Sequence, residues 1–126
     1  MTAMSIPKPV NLAAKLTEIT EHWRPRVVGE LNGQAVKLVK LDGEFVWHHH
    51  EAEDELFLVI SGHLRMEFRD GVQELHPGEF LIVPRGVEHR PIAEHETTVL
   101  LFEPLGVLNT GNVMHPTLTA PVDVRS

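Results

Sequence analysis

The chain has 126 residues, enough for one domain and too few for a sizeable second one. Its content of 42% apolar and 23% charged residues is typical of a folded globular protein, and its net charge of -7 disfavours nucleic acid and anionic membranes as partners. Because there is no cysteine, disulfides, thiolate catalysis and thiolate metal ligands are excluded.

The N-terminal residues MTAMSIPKPV lack the basic start and continuous apolar run of a secretion signal. No apolar run approaches the roughly 20 residues that span a bilayer. We therefore expect a cytoplasmic protein that has no membrane partner.

The first predicted element is a helix within residues 11–25, NLAAKLTEITEHWRP. Asn11 can cap its start and Pro25 ends the pattern. Apolar side chains recur at helical spacing and would line one face: Leu12, Leu16, Ile19 and Trp23. We predict an N-terminal segment, residues 1–33, whose amphipathic helix packs on the domain or on a second subunit.

From residue 34 onward the chain alternates short strands with turns. Residues Asp70 and Gly71 both tolerate positive φ and predict a hairpin. The pattern predicts an all-β sandwich or barrel over residues 34–104, followed by an irregular arm, residues 105–126, that wraps the domain or a neighbour. The predicted strands are AVKLVKL, EFVWHHH, ELFLVIS, HLRMEFR, VQEL, EFLIVP and TTVLLFEP.

Three consecutive histidines follow Trp47 in the stretch EFVWHHH. Side chains alternate along a strand, so His48 and His50 share a face with Val46, while His49 shares the other face with Trp47. Val46 favours the first face as the interior one and Trp47 favours the second. Two buried imidazoles need partners, which a bound metal ion would supply; a polar rim on an ordinary β-protein is the alternative.

Two further residues can complete such a site. Glu55 begins the apolar strand ELFLVIS, where a carboxylate needs a partner unless the strand end is solvated. His89 follows a Pro-Arg-Gly turn that can direct it to the same interior, although a single histidine there is also compatible with a structural role. Together with His48 and His50, these residues indicate a metal site.

The same residues resemble the two motifs of a small single-domain cupin. Compared with the family pattern, the interval between Gly43 and His48 is one residue short, and Ala93 replaces a non-ligand asparagine. The first motif is matched by Gly43, His48, His50, Glu55 and Gly62, and the second by Gly78, Pro84, Gly86 and His89.

The resemblance covers residues 36–102 and implies a jelly-roll β-barrel with a metal ion in its mouth. It implies that His48, His50, Glu55 and His89 hold one divalent transition metal per chain. Nitrogen and oxygen ligands suit manganese, iron, cobalt, nickel, copper or zinc. The remaining polar residues of this stretch are predicted to form a solvated rim: His49, Glu51, Glu53 and Asp54.

Two functions follow from these observations. The first is a metal-dependent enzyme that acts on a small oxygen-rich molecule by oxygenase, isomerase or lyase chemistry. The second is a module that binds a metal or small ligand without turnover, because no second acid/base pair is evident and the catalytic residues stay unassigned. Candidate substrate contacts are His63, Arg65, Arg85 and Arg90, although a surface position is favoured for each of them.

We also expect a homodimer. Small jelly rolls expose sheet edges that something usually covers. The N-terminal segment and the C-terminal arm exceed what one small barrel needs, so both could pack across a two-fold interface.

Overall fold

A computed structural model describes residues 6–126 as one short helix followed by a sheet of seven antiparallel strands, which confirms the all-β prediction. Within these residues, no helix has the length and hydropathy needed to cross a membrane. The elements are α1 (Leu12–Thr17), β1 (Arg26–Leu31), β2 (Gln34–Glu44), β3 (Glu55–Ser61), β4 (Leu64–Phe68), β5 (Gly71–Leu75), β6 (Phe80–Val83) and β7 (His89–Pro104).

Strand β7, 16 residues long, organises the sheet. It pairs with β2 along most of its length, with β3 through its second half and with β4 through its first residues. The strand order is β1-β2-β7-β3-β6, and β4 carries β5 as a hairpin in which Phe68 pairs with Gly71. Because β7 has different neighbours at its two ends, the sheet curls around a common interior. The predicted hairpin between β4 and β5 is confirmed, but its turn consists of Arg69 and Asp70, and neither Asp70 nor Gly71 has a positive φ.

The interior is filled by alternate residues of the long strands. Most of them are aliphatic or aromatic, and burying them supplies the main favourable term in folding. Three charged side chains lie among them, at Lys37, Glu55 and Glu103. The central core includes Val39, Leu41, Phe45, Phe57, Val59, Leu64, Met66, Val83, Val99 and Leu101.

The helix is shorter than its apolar pattern predicts. It ends at Thr17, so Ile19 and Trp23 are buried outside the helix rather than on one helical face. Trp23 adopts a φ of 62°, donates from Nε1 to the carbonyl oxygen of Asp42 at 2.9 Å, and stacks on Phe45 with ring centroids 4.6 Å apart. These contacts with the sheet favour a non-helical backbone over continuation of the helix.

Two strand predictions are corrected in length or number. The run Arg26–Leu31 was not predicted as a strand, yet it forms β1 and pairs with β2. Strand β7 begins at His89 rather than at Thr97. Pro91 lies in this added stretch and has no N–H to donate, but its carbonyl oxygen accepts the N–H of Phe45 at 3.0 Å.

Residues 45–50, which we call the ligand segment, are not the regular strand that EFVWHHH predicts. Strand β2 ends at Glu44, and beyond it only His48 forms a bridge, exchanging two backbone hydrogen bonds with His89 at 3.1 and 2.9 Å. The alternation of side chains survives because this bridge holds the segment extended.

The C-terminal arm, residues 105–126, is a succession of turns packed on the same chain. The N–H of Val27 in β1 donates to the carbonyl oxygen of Val124 at 2.7 Å, and Arg125 pairs with Glu30 at 3.0 Å. The arm therefore returns to the edge of the sheet formed by β1.

Candidate metal centre

The four predicted ligand residues come together at one buried point. One ligand atom from each of His48, His50, Glu55 and His89 lies within 4.8 Å of the others, and the four residues are between 0% and 6% exposed. The Oε1 atom of Glu55 is 3.4 Å from Nε2 of His50 and 3.6 Å from Nε2 of His89. Atoms of these types at such separations are compatible with a shared metal ion.

Backbone contacts from three elements fix the cluster. Glu55 is the first residue of β3 and His89 is the first residue of β7. The bridge to His89 sets the position of His48, and the carbonyl oxygen of His50 accepts the N–H of Gly86 at 2.7 Å. The turn between β6 and β7 thus connects the ligand segment to His89, the last candidate ligand.

Hydrogen bonds select the ring nitrogens that face the centre. Nδ1 of His48 lies 2.9 Å from the carbonyl oxygen of Val46, and Nδ1 of His89 lies 2.9 Å from that of Val87. A carbonyl oxygen can only accept, so each Nδ1 carries the proton and each Nε2 keeps its lone pair. This is the arrangement in which imidazoles bind metals through Nε2.

Several buried atoms of the cluster have no hydrogen-bond partner within residues 6–126: Nε2 of His50, Nε2 of His89 and Oε1 of Glu55. Buried polar atoms are nearly always satisfied, because leaving one unpaired costs on the order of 1–3 kcal/mol. Their convergence without donors between them fits a cation at the centre. This observation most strongly favours a metal site over a structural polar cluster.

The electrostatics of the cluster favour the protonation states that a metal requires. Burial, and after it the neighbouring His89, lowers the pKa of His48 from 6.5 to about 3, so the ring is neutral. Burial alone would raise the pKa of Glu55, but the neighbouring Glu103, His50 and His89 outweigh it and hold that pKa well below its usual range. Neutral imidazoles and an ionised carboxylate are the metal-binding forms.

Two charged residues beside the centre were missed by the sequence analysis. Lys37 and Glu103 are buried and form an ion pair at 3.0 Å, with Asp123 3.5 Å from the same ammonium group. The strand alternation could have found them, since Lys37 shares a face with Val39 and Glu103 shares one with Leu101. The signal available in the sequence was therefore that Lys37 and Glu103, two residues of opposite charge, each occupy an interior-facing position of a strand.

The proposed substrate contacts do not reach the centre. Each is paired with a carboxylate elsewhere, at distances from 2.7 to 3.6 Å: Arg65 and Arg90 with Glu67, Arg85 with Asp54, and His63 with Glu74. The surface alternative is therefore the better description of these four residues.

The rim residue His49 points away from the cluster. Its Nε2 lies 2.8 Å from Oε1 of Glu51, and its backbone N–H donates to Oδ1 of Asn112 at 2.9 Å. The ring of His49 therefore lies outside the cluster that contains the rings of its two neighbours. His49 can serve as a control position for metal binding.

Two cavities border the cluster. An interior cavity of about 30 Å³ touches His48 and Glu55, and an outer depression of about 280 Å³ touches His50. The depression is lined partly by the acids Glu51 and Glu53. The interior cavity has mostly apolar walls, which include Leu41, Phe45, Phe57, Pro91 and Leu101. The cluster is thus bordered by two chemically different spaces, of which the outer depression is much the larger.

Comparison with known proteins identifies relatives over this region. A family model described as a cupin domain matches residues 36–104. The uncharacterized protein YdbB of Bacillus subtilis strain 168 is 35% identical over 97 residues, which cover 76% of this chain and 86% of that protein. A solved cupin-2 domain containing protein from Shewanella frigidimarina is 44% identical with a TM-score of 0.74, and the match covers 75% of this chain and 93% of that one.

A more distant relative has a named activity. Acireductone dioxygenase of Bacillus licheniformis is 32% identical over 84 residues. The match covers 61% of this chain and only 47% of that protein. The similarity therefore concerns about half of the dioxygenase.

Proposed function

Because this chain belongs to the cupin family and buries three histidines and a glutamate around one point, we propose that it is a metal-dependent enzyme. It binds one divalent transition-metal ion per chain and acts on a small oxygen-bearing molecule. The observation that carries the proposal is the convergence of Nε2 of His50, Nε2 of His89 and Oε1 of Glu55, buried and without hydrogen-bond partners.

The ligand types limit the metal. Three imidazoles and one carboxylate suit manganese, iron, cobalt, nickel, copper or zinc, and the absence of cysteine removes thiolate-bound metals. Affinity generally increases from manganese to copper, so geometry and metal supply, rather than affinity alone, select the ion in the cell.

The chain's own residues prepare the site for chemistry. His48 and His89 are held by backbone carbonyls in the tautomer that presents Nε2, and Glu55 supplies a negative charge. The apolar walls of the interior cavity limit water on the His48 side. A bound ion would polarise a substrate oxygen or orient a chelating substrate. The similarity to acireductone dioxygenase favours oxygenation among the candidate reactions.

One observation favours the alternative of a binding module without turnover. Within the described residues, the interior cavity is lined by polar side chains at Trp23, His48, Glu55 and Asn109. Trp23 and Asn109 already donate to backbone carbonyls, at 2.9 Å and at 3.1 and 2.8 Å. No acid or base beyond the ligand set is therefore available on that side.

Metal binding is tested with protein stripped by a chelator and reloaded with one metal at a time. We expect about one ion per chain and a raised melting temperature for the wild type, because a ligand that binds only the folded state stabilises it by mass action. Glu55→Gln, which keeps the size of the side chain, and His89→Ala should lose most of both effects. His49→Ala is the matched control and should retain them; equal metal retention in all three variants would contradict the proposed ligand set.

Turnover separates the enzyme from the binding module. Each metal form is screened against small molecules that carry adjacent oxygen donors, with and without dioxygen. Activity that disappears on chelation and returns on reloading supports the enzyme. Stoichiometric metal binding without turnover of any compound supports the binding module, and full activity in metal-free protein excludes a catalytic metal.

A further inference from the structure

We propose that the substrate of the proposed metal centre carries no anionic group apart from the oxygen atoms that bind the ion. The inference rests on the proposed function and narrows its substrate class to uncharged or cationic oxygen donors. It excludes molecules that chelate the ion at one end and present a phosphate or a carboxylate to the protein at the other. The sizes of the two spaces beside the cluster, and the charges along their walls, lead to this conclusion.

The outer depression is the space in which most of a bound molecule would lie. The interior cavity, at about 30 Å³, has room for roughly two water molecules. The outer depression, at about 280 Å³, is large enough for a small organic molecule. The charges that surround this depression therefore decide which substituents a substrate can carry.

His50 joins the outer depression to the cluster. It lines the depression, and its side chain is only 4% exposed. Its Nε2 atom has no hydrogen-bond partner within the part of the chain that the structure describes. Because buried polar atoms are nearly always satisfied, this nitrogen indicates a ligand at the inner end of the depression, independently of the charges around it.

The wall of the outer depression is acidic. Of the described residues that line it, Glu51 and Glu53 are acids, and none is a lysine or an arginine. His49 belongs to the same wall, but its Nε2 lies 2.8 Å from Oε1 of Glu51, so that carboxylate balances any proton on the ring. An anionic substituent placed here would meet charges of its own sign, whereas an ammonium group would meet opposite ones.

The cations that could compensate an anionic substituent are engaged elsewhere. The arginines that the sequence suggested as candidate substrate contacts pair with Glu67 and Asp54. Lys37 is buried 3.0 Å from Glu103 and 3.5 Å from Asp123. Neither Lys37 nor these arginines line the cavity or the depression. An anion that left water for this site would therefore lose its hydration without gaining a protein partner.

Three hydroxypyranones that share one pair of metal-binding oxygen atoms test the proposal. Kojic acid carries a neutral hydroxymethyl group, and comenic acid carries a carboxylate at the same ring position. The aminomethyl analogue of kojic acid carries an ammonium group there. Each compound is titrated into cobalt(II)-loaded protein, whose visible spectrum reports binding to the ion. The cobalt content of every variant is measured first, so that the affinities refer to loaded protein.

The test variant is Glu51→Gln/Glu53→Gln, which removes both acids and keeps their size. Glu74→Gln/Glu94→Gln is the matched control, because it changes the net charge equally at two exposed residues that do not line the depression. We expect the affinity ratio of kojic acid to comenic acid to fall roughly fivefold in the test variant, the size typical of exposed charge pairs, and to stay unchanged in the control. The advantage of the ammonium compound over kojic acid should fall as well.

A salt series on the wild type repeats the test without a substitution. At about 1 M salt the Debye length is about 3 Å, so both ratios should fall towards those of the test variant. Ratios that are equal in the wild type and the test variant, or that fall equally in the control, would overturn the proposal. Loaded wild type that binds none of the three compounds would overturn it too, because the depression would then admit no ligand of the ion. A wild type that binds no cobalt would instead refute the proposed metal centre itself.

Discussion

His48 shows how one side chain is prepared for its role. Its Nδ1 is bonded to the carbonyl oxygen of Val46, and its ring lies edge-on to Phe45 with centroids 5.2 Å apart. The backbone bridge to His89 keeps it inside the barrel. Burial in these surroundings lowers the pKa of the imidazole to about 3, so it stays neutral at every pH at which the protein is expected to work.

This lowered pKa predicts a pH dependence of stability in the metal-free protein. Between pH 6.5 and about 3, the unfolded chain binds a proton on His48 that the folded chain does not. The free energy of unfolding therefore falls as the pH decreases through this window, by up to about 1.4 kcal/mol per unit from this residue. Urea unfolding of chelator-treated protein from pH 7 to 5 should show a steeper fall for the wild type than for His48→Gln. Identical slopes would contradict the buried, neutral imidazole.

At the scale of elements, the C-terminal arm supports the ligand segment. The N–H of Asn112 donates to the carbonyl oxygen of His49 at 3.1 Å, and Oδ1 of Asn112 accepts the N–H of His49 in return. Gly111 allows this approach: it has a φ of 57°, and a Cβ atom there would collide with the carbonyl oxygen of His49. The arm thus contributes to the position of His48 and His50 although it supplies no ligand.

Gly111→Ala should therefore weaken metal binding as well as stability. The added methyl group displaces either the arm or the ligand segment, and it would lie 3.2 Å from Cδ2 of His48. Gly106→Ala is the matched control, because Gly106 also has a positive φ, 84°, but open space around its Cβ position. We expect the control to lose only the roughly 1–2 kcal/mol of a left-handed alanine and to keep its metal affinity. Equal metal affinities, measured by chelator competition, would contradict the supporting role of the arm.

At the scale of the whole molecule, β6 lies at one end of the strand order β1-β2-β7-β3-β6. Phe80 and Ile82, on this strand, are 62% and 52% exposed. An apolar edge strand is a surface to which another strand can add. Since the C-terminal arm packs on its own chain through Val124, β6 is a better candidate for a two-fold contact than the arm.

The homodimer remains a prediction, and β6 makes it testable. Light scattering at micromolar concentration should give about twice the 14.2 kDa chain mass for the wild type. Phe80→Glu/Ile82→Lys should give the monomer mass, because charges on an edge strand oppose pairing. A wild-type monomer would contradict the prediction, and a dimer that survives the double substitution would place the interface elsewhere.

The sequence by itself determined the fold class and the four candidate ligands. Strand alternation is a local property, so the runs around Val39, Val59 and Leu101 could be recognised as strands without knowledge of their partners. The four candidate ligands could be named because motif spacing encodes turns, and a turn of fixed length returns the chain to a fixed place. Gly62 is an example: its φ is 89°, and a Cβ atom would lie 2.6 Å from Oγ1 of Thr97.

Only the tertiary structure decided the features that depend on residues distant in the chain. The sequence left open whether Val46 or Trp47 faces the interior. In the structure the indole ring of Trp47 faces outward, and the guanidinium group of Arg69 lies 3.9 Å from its centroid. Likewise, the helix ends before Trp23, because Trp23 packs against the sheet. Lys37 met Glu103 through the pairing of β2 with β7, two strands distant in the chain, and no local pattern records which strands pair.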